Sequence, residues 1–513
     1  MNNPDALRKV CIVGGGTAGW IAAAVMAHHM KGRLFEIELV ESDDIGTIGV
    51  GESTIPPFME LIAKLDIDEQ DFVRQVQASF KLGIEFKDWF RKDESYFHPF
   101  GDVGQRVELS DFYQCWRKAT LAGHDFPLQD FAPATVMAHA GRFMLPFKAR
   151  NTPIAGASYA LHVDAKRVAQ FLRGHAEARG VKRTEGIVTD VALDARGFVS
   201  TLTLKDGRTI DADFFIDCSG FRALLIEKAL GSGYTDWSNY LFCDRAIAAQ
   251  TENVGPPRPY TLAEAQDAGW RWRIPLQHRT GNGHVYSSEF MSDEEATRIL
   301  LEKVEGEVVA GPMVVPFRTG VREKIWHRNV LAIGLSSGFI EPLESTAIHL
   351  IYRGMDFFFR FLPDRHCDPA LADEYNRRMV ADYTEIRDFI VLHYCTTARD
   401  DTPFWRKCRD MDWPDSLKER VELFRSNGTL REGLDELFRS VSWFSVLEGM
   451  GIRPRTYHPL VDRIDEAMLY AGLDKAREQL AGFVRQLPTQ QQFIDAHCRA
   501  EKVDLTRPVM AGV

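Results

Sequence analysis

No apolar run in this 513-residue chain approaches the roughly 20 residues that a membrane-spanning helix requires. The opening "MNNPDALRK" passes almost directly into a strand-like "VCIV", without the basic and apolar regions of an export signal. A cytoplasmic protein with no membrane partner is therefore expected. Basic charge is also in short supply, because 62 Lys and Arg face 73 Asp and Glu for a net charge of −11. Nucleic-acid binders need clustered cations, so a small-molecule site is expected instead. Cysteine occurs eight times but without a C-x-x-C pair or regular spacing. That pattern suggests neither a disulfide framework nor a metal site. Repeats and low-complexity tracts are missing as well.

What is present is a globular composition, 45% apolar and 26% charged. A chain this long exceeds one hydrophobic core, so two packed lobes around one site are expected. "KVCIV", "TAGWIAAAVMAHHM" and "FEIELVES" read as strand, helix and strand, a βαβ start. Further strands of that lobe are predicted at "TLTL", "ADFFIDCSG" and "NVLAIGLSSG", with a helix over "DAKRVAQFLRGHAEARG" ending at Gly180. The lobe is discontinuous on this reading and spans residues 1–364. Within it, a segment at about 85–150 reads as irregular aromatic loops lining a substrate pocket. Residues 365–513 are amphipathic at helical period and predict a mostly helical cap that contributes to the pocket.

The most informative local pattern is "GGGTAG". Gly14, Gly16 and Gly19 form G-x-G-x-x-G between a strand and a helix that opens with Thr17 and Ala18. Such glycines let the backbone approach a pyrophosphate held at the helix N-terminus. Glu41, ending the next strand, is placed to accept from a ribose 2′-hydroxyl. Two later strand-plus-glycine turns, "FIDCSG" and "VLAIGLSSG" with Gly334 and Leu335, favour FAD over NAD. The fold class expected is α/β: a Rossmann-type FAD lobe, similar to that of flavin monooxygenases, with the helical cap.

Five blocks then carry a family resemblance. "GWRWRIP" (269–275) matches a W-x-W-x-I-P signature, and "VGESTIPP", "FKLGIEFKDW", "FIEPLEST" and "HYCTTARDDTPFW" stand around it in the family's order. The chain resembles the flavin-dependent tryptophan halogenases over roughly residues 8 to 460. The resemblance implies FAD supplied reduced (FADH2) by a separate flavin reductase. With O2 and chloride or bromide it yields hypohalous acid, which travels to a lysine beside an electron-rich arene. A homodimer is also suggested by the family.

Residue by residue, Lys81 matches the family's lysine and Glu344 its glutamate. Gly51, Glu52 and Ser53 join the cofactor set, and Thr346 and Ala347 match the halide-binding backbone, where the family more often has glycine second. His98 and Phe100 match residues flanking the arene, and Trp443 and Phe444 are further candidates for its pocket. Each role has a physical basis. An ammonium polarises hypohalous acid, and desolvation tunes it. A carboxylate stabilises a developing cation. Bulky indoles at Trp270 and Trp272 could keep organic substrate away from the flavin. The tryptophan-binding members hold their substrate's charged ends with a tyrosine pair and an acid. Here "SNGTLREGLDELFRSVSWFSVLEG" has no tyrosine pair, which favours an indole-type or other electron-rich arene over free tryptophan.

Without the resemblance, Lys81 reads as a surface lysine near a helix end, with Lys87 close by. Glu341 reads as an exposed carboxylate at a turn. Two other functions stay open on the residues: an FAD-dependent aromatic monooxygenase, and an inactive flavin-binding carrier or sensor. No second nucleotide fingerprint for NAD(P)H is visible.

Overall fold

The computed structural model describes residues 4–30, 34–45, 51–433 and 435–503; Val50 of "VGESTIPP" lies outside them. The strand Lys9–Val13 sits in a six-stranded sheet. Its order is Trp326–His327, Val330–Ala332, Phe214–Asp217, Lys9–Val13, Glu36–Glu41, Lys182–Glu185. All pairs are parallel except the Trp326–His327 edge. A parallel sheet must be covered on both faces, and the central strands are accordingly apolar and buried. Helix Thr17–Met30 packs against Ala165–Glu177 and Ala347–Arg360. It is buried on nearly all sides, which is why its sequence is almost uniformly apolar rather than amphipathic.

The predicted strand "TLTL" proves to belong elsewhere. It lies in Val199–Leu204, the middle of a three-stranded antiparallel sheet with Val188–Leu193 and Thr209–Asp211. Its residues alternate between buried and partly exposed positions, as suits a sheet with one wet face. The 85–150 segment is also more regular than its loop-like sequence suggests. Gly83–Lys87 and Ser95–Pro99 pair antiparallel, and helices Phe112–Leu121 and Pro133–His139 follow. Its aromatics are largely packing groups: Phe86 stacks on Tyr96 with ring centroids 4.9 Å apart.

A seven-stranded sheet has the order Val308–Pro316, Arg245–Thr251, Thr280–Tyr286, Gly269–Pro275, Thr261–Gln266, Gly83–Lys87, Ser95–Pro99. The W-x-W spacing is therefore strand period. Trp270, Trp272 and Ile274 share the buried face, while Arg271 and Arg273 on the other side pair with Glu264 and Glu305. Gly283 makes room opposite, since a Cβ there would lie 2.0 Å from the Trp272 ring.

A small sheet completes the centre: Gly51–Ser53, Ala160–Asp164, Ser79–Lys81. From Pro369 onward every regular element among the described residues is helical, beginning with the 27-residue helix Pro369–Cys395. Among the described residues no helix is long and apolar enough to cross a membrane, and no group of His, Cys, Asp or Glu could hold a metal ion.

Candidate active site

Lys81 ends the strand Ser79–Lys81, opposite Ala160. It is not a surface lysine at a helix end: it is fully buried. Nζ donates to the Thr54 carbonyl and to Ser345 Oγ, each at 3.1 Å. It also lies 4.9 Å from the centre of the Phe100 ring. Burial strips the ammonium of water and lowers its pKa to about 7, against which the Glu344 charge pulls upward.

Glu344 closes the 3₁₀ turn Pro342–Glu344 and is equally buried. His98 Nδ1 lies 2.9 Å from its Oε2 and 3.1 Å from Oε1. From the long helix, His393 Nε2 approaches Oε1 at 3.1 Å. His393 Nδ1 is 2.9 Å from the Phe389 carbonyl. Burial pushes the Glu344 carboxyl up, but the two imidazoles outweigh it and hold it at about 2. Glu344 is thus an ionised carboxylate close enough to Lys81 to be felt electrostatically.

The packing beside His98 is aromatic and apolar. Phe100 stands edge-on to His98 with centroids 6.4 Å apart. Phe438, stacked on Phe389 at 3.8 Å, comes within 6.2 Å of the His98 ring. Leu437 packs on Ile55, Phe100 and Ala160. The backbone N–H groups of Leu437 and Phe438 both donate to Glu385, which seats this segment against the long helix. Trp443 stands one ring further back, 4.9 Å from Phe389 and under the Arg420 guanidinium. Phe444 stacks on Tyr113 at 4.8 Å, away from the His98 cluster. Phe438, Leu437, Ser345 and His393 were not singled out from sequence. His393 and Ser345 had a signal, their places in the "HYCTT" and "FIEPLEST" blocks.

Glu341 contradicts its sequence reading. It is completely buried, receiving Tyr394 Oη at 2.5 Å and Trp270 Nε1 at 3.3 Å. Burial raises its carboxyl pKa to about 7, although both donors pull it down. The Trp272 indole N–H, by contrast, is buried with no partner among the described residues.

On the nucleotide side, Gly14 has φ +112 and a Cβ on it would lie 2.3 Å from the Cys218 carbonyl. A Cβ on Gly19 would meet the Gly14 carbonyl at 1.8 Å. At Gly16 a Cβ would meet nothing within 4 Å, so open space lies over the turn where a pyrophosphate would approach. Gly334 packs directly on Ala18, a Cβ there falling 2.7 Å from the Ala18 methyl, and Leu335 follows in the turn Gly334–Ser336. Glu41 lies over Gly15 and accepts from Arg183 at 2.7 Å through Oε1. Glu52 Oε2 is buried without a partner among the described residues, and its carboxyl rises to about 7 through burial and the nearby Asp164. Ser53 Oγ is 3.0 Å from Thr261 Oγ1. A glycine cradle beside open space and an orphaned carboxyl oxygen fit a bound FAD. Thr346 precedes the helix Ala347–Arg360, and Ala347 is exposed at its first turn. Free N–H groups there favour an anion.

Residues 9–466 match the tryptophan halogenase family model. The tryptophan 6-halogenase ThaL of Streptomyces albogriseolus is 33% identical, with 96% of this chain and 98% of that protein covered. The tryptophan 7-halogenase RebH of Lentzea aerocolonigenes is 33% identical over 90% and 92%. A solved flavin-dependent halogenase from Xanthomonas campestris superposes with a TM-score of 0.93 at 43% identity, over 97% of this chain and all of that one. The chain therefore belongs to the tryptophan halogenase family, flavin-dependent enzymes that use reduced FAD, halide and O2 and receive their reduced flavin from a separate reductase.

Proposed function

We propose that this halogenase places an electrophilic halogen on a neutral, indole-type or otherwise electron-rich arene, and that Lys81 delivers it. The observation that carries the reading is the complete burial of Lys81 with two neutral oxygens as its hydrogen-bonding partners. Gly14, Gly16, Thr17, Ala18, Gly19, Glu41, Gly51, Glu52, Ser53, Gly334 and Leu335 would hold the flavin. Bound and reduced, with O2 and halide, it supplies the two-electron oxidation that makes hypohalous acid. Backbone N–H groups at Thr346 and Ala347 would seat the halide at a helix N-terminus. Trp270 and Trp272 would restrict the passage between flavin and arene to small species.

At the far end, Lys81 Nζ donates to the oxygen of hypohalous acid and weakens the oxygen–halogen bond. An arene carbon takes the halogen as that bond breaks, and the departing hydroxide takes a proton from the ammonium to leave as water. Glu344, held ionised by His98 and His393, stabilises the arenium cation and accepts its ring proton. The walls around His98 and Phe100 offer aromatic faces rather than groups for an α-carboxylate, which supports a neutral ring. Purified protein with FAD, a reductase, NADH, O2, bromide or chloride, and indole should give haloindole with the halogen isotope pattern by mass spectrometry. Hydroxyindole in its place would show a monooxygenase.

A further inference from the structure

Halogen transfer leaves Glu341 without a role, although it is as deeply buried as Glu344. Glu341 immediately precedes the 3₁₀ turn Pro342–Glu344 that Glu344 closes, so both carboxyls stand on one short segment. The long helix receives both with consecutive side chains: Tyr394 takes Glu341 and His393 faces Glu344. The tryptophan strand adds Trp270 Nε1 to the same Glu341 oxygen. Both donors to Glu341 are neutral, whereas Glu344 meets two imidazoles. The turn then passes into Ser345, a non-glycine residue at φ 60, whose hydroxyl accepts from Lys81. A displaced turn would move both the carboxylate and the lysine's partner.

We propose that Glu341 is a positioning residue: clamped by Tyr394 and Trp270, it fixes the 342–346 turn so that Glu344 meets the imidazoles and Ser345 meets Lys81. The proposal rests on reading Lys81 and Glu344 as the reacting pair. Trp270 then acts through its N–H as well as its bulk. A carboxyl surrounded by neutral donors in a dry site is also partly protonated near neutral pH, in line with its pKa raised to about 7.

The test compares Trp270→Phe, Tyr394→Phe, Glu341→Leu and Glu341→Gln for haloindole formed per FADH2 oxidised, with a β-diketone trap for escaping hypohalous acid. Each Phe variant keeps a ring and loses one hydrogen bond; the yield should fall three- to tenfold while trapped hypohalous acid rises in step. Glu341→Leu should lose at least tenfold, and Glu341→Gln should recover most of that loss. Wild-type yields in both Phe variants, or Gln no better than Leu, would overturn the proposal. If Glu341→Leu does not fold, the two Phe variants decide. Failure of the underlying reading looks different: Lys81→Ala would then still make haloindole.

Discussion

Lys81 and Lys87 lie six residues apart on consecutive strands of the chain, and their surroundings are opposite. Lys87 is half exposed and paired with Glu264 at 2.9 Å; that hydrogen bond raises its pKa. Lys81 is dry, with neutral oxygens and a ring face around it, and its pKa falls. The two glutamates of the 341–344 turn repeat the contrast, one raised to about 7 and one held at about 2. The opposite shifts come from what each side chain is packed against, since the residue types and their sequence neighbourhoods are nearly the same. Environments that push like groups apart in pKa are a mark of assigned chemical roles.

The lysine contrast should be the easiest to break. Lys81→Met is expected to lower haloindole formation by about 10²–10⁴-fold, the range for losing a positioned proton-transfer group. Lys87→Met should stay within about twofold of wild type, since it removes only an exposed ion pair. Comparable losses in both, measured as kcat/KM, would erase the distinction. Next in size, Glu344→Gln keeps the shape and loses the charge, and should lower kcat about 10²-fold with little change in KM.

Stability offers a sharper, activity-free view of Lys81. Its folded pKa of about 7 lies below the ordinary lysine value of 10.5. Below pH 7 both states are protonated and the fold carries the full cost of a buried ammonium, on the order of 5 kcal/mol. Between pH 7 and 10.5 the unfolded chain binds more protons than the folded one, so stability attributable to this group rises with pH. Lys81→Met should therefore be more stable than wild type in urea at pH 6, with the gap narrowing towards pH 10. A pH-independent gap would mean that Lys81 titrates normally. A smaller effect is expected beside His98: Phe438→Ala should raise KM for indole by about tenfold through lost ring contact and leave FADH2 oxidation alone.

The nucleotide lobe was legible because its chemistry is local. A strand, a G-x-G-x-x-G turn, a helix and an acid at the next strand's end fall within one stretch, and Gly14, Gly19 and Glu41 lie where that order places them. The cluster around Lys81 was legible only as blocks. Lys81, Thr54, Ser345, His98, Glu344 and His393 come from segments up to 339 residues apart, and no spacing relates them. Their burial reverses the plain reading of Lys81 and of Glu341, because hydration is a property of the fold. "YFHPFG" looked like loop for a related reason: its aromatics pack a sheet edge rather than follow a clean alternation. Phe438 escaped notice since "ELFRS" carries no motif; only the stack on Phe389 and the Glu385 anchor bring it to His98.

The central claim, that halogen reaches the arene only through the buried Lys81, is tested most directly by accounting for oxidant in Lys81→Ala. FADH2 oxidation, trapped hypohalous acid and haloindole are measured together in bromide. The account predicts near wild-type FADH2 oxidation, haloindole lost, and hypohalous acid recovered in the trap. Haloindole persisting at wild-type yield, or loss of FADH2 oxidation along with product, would contradict it.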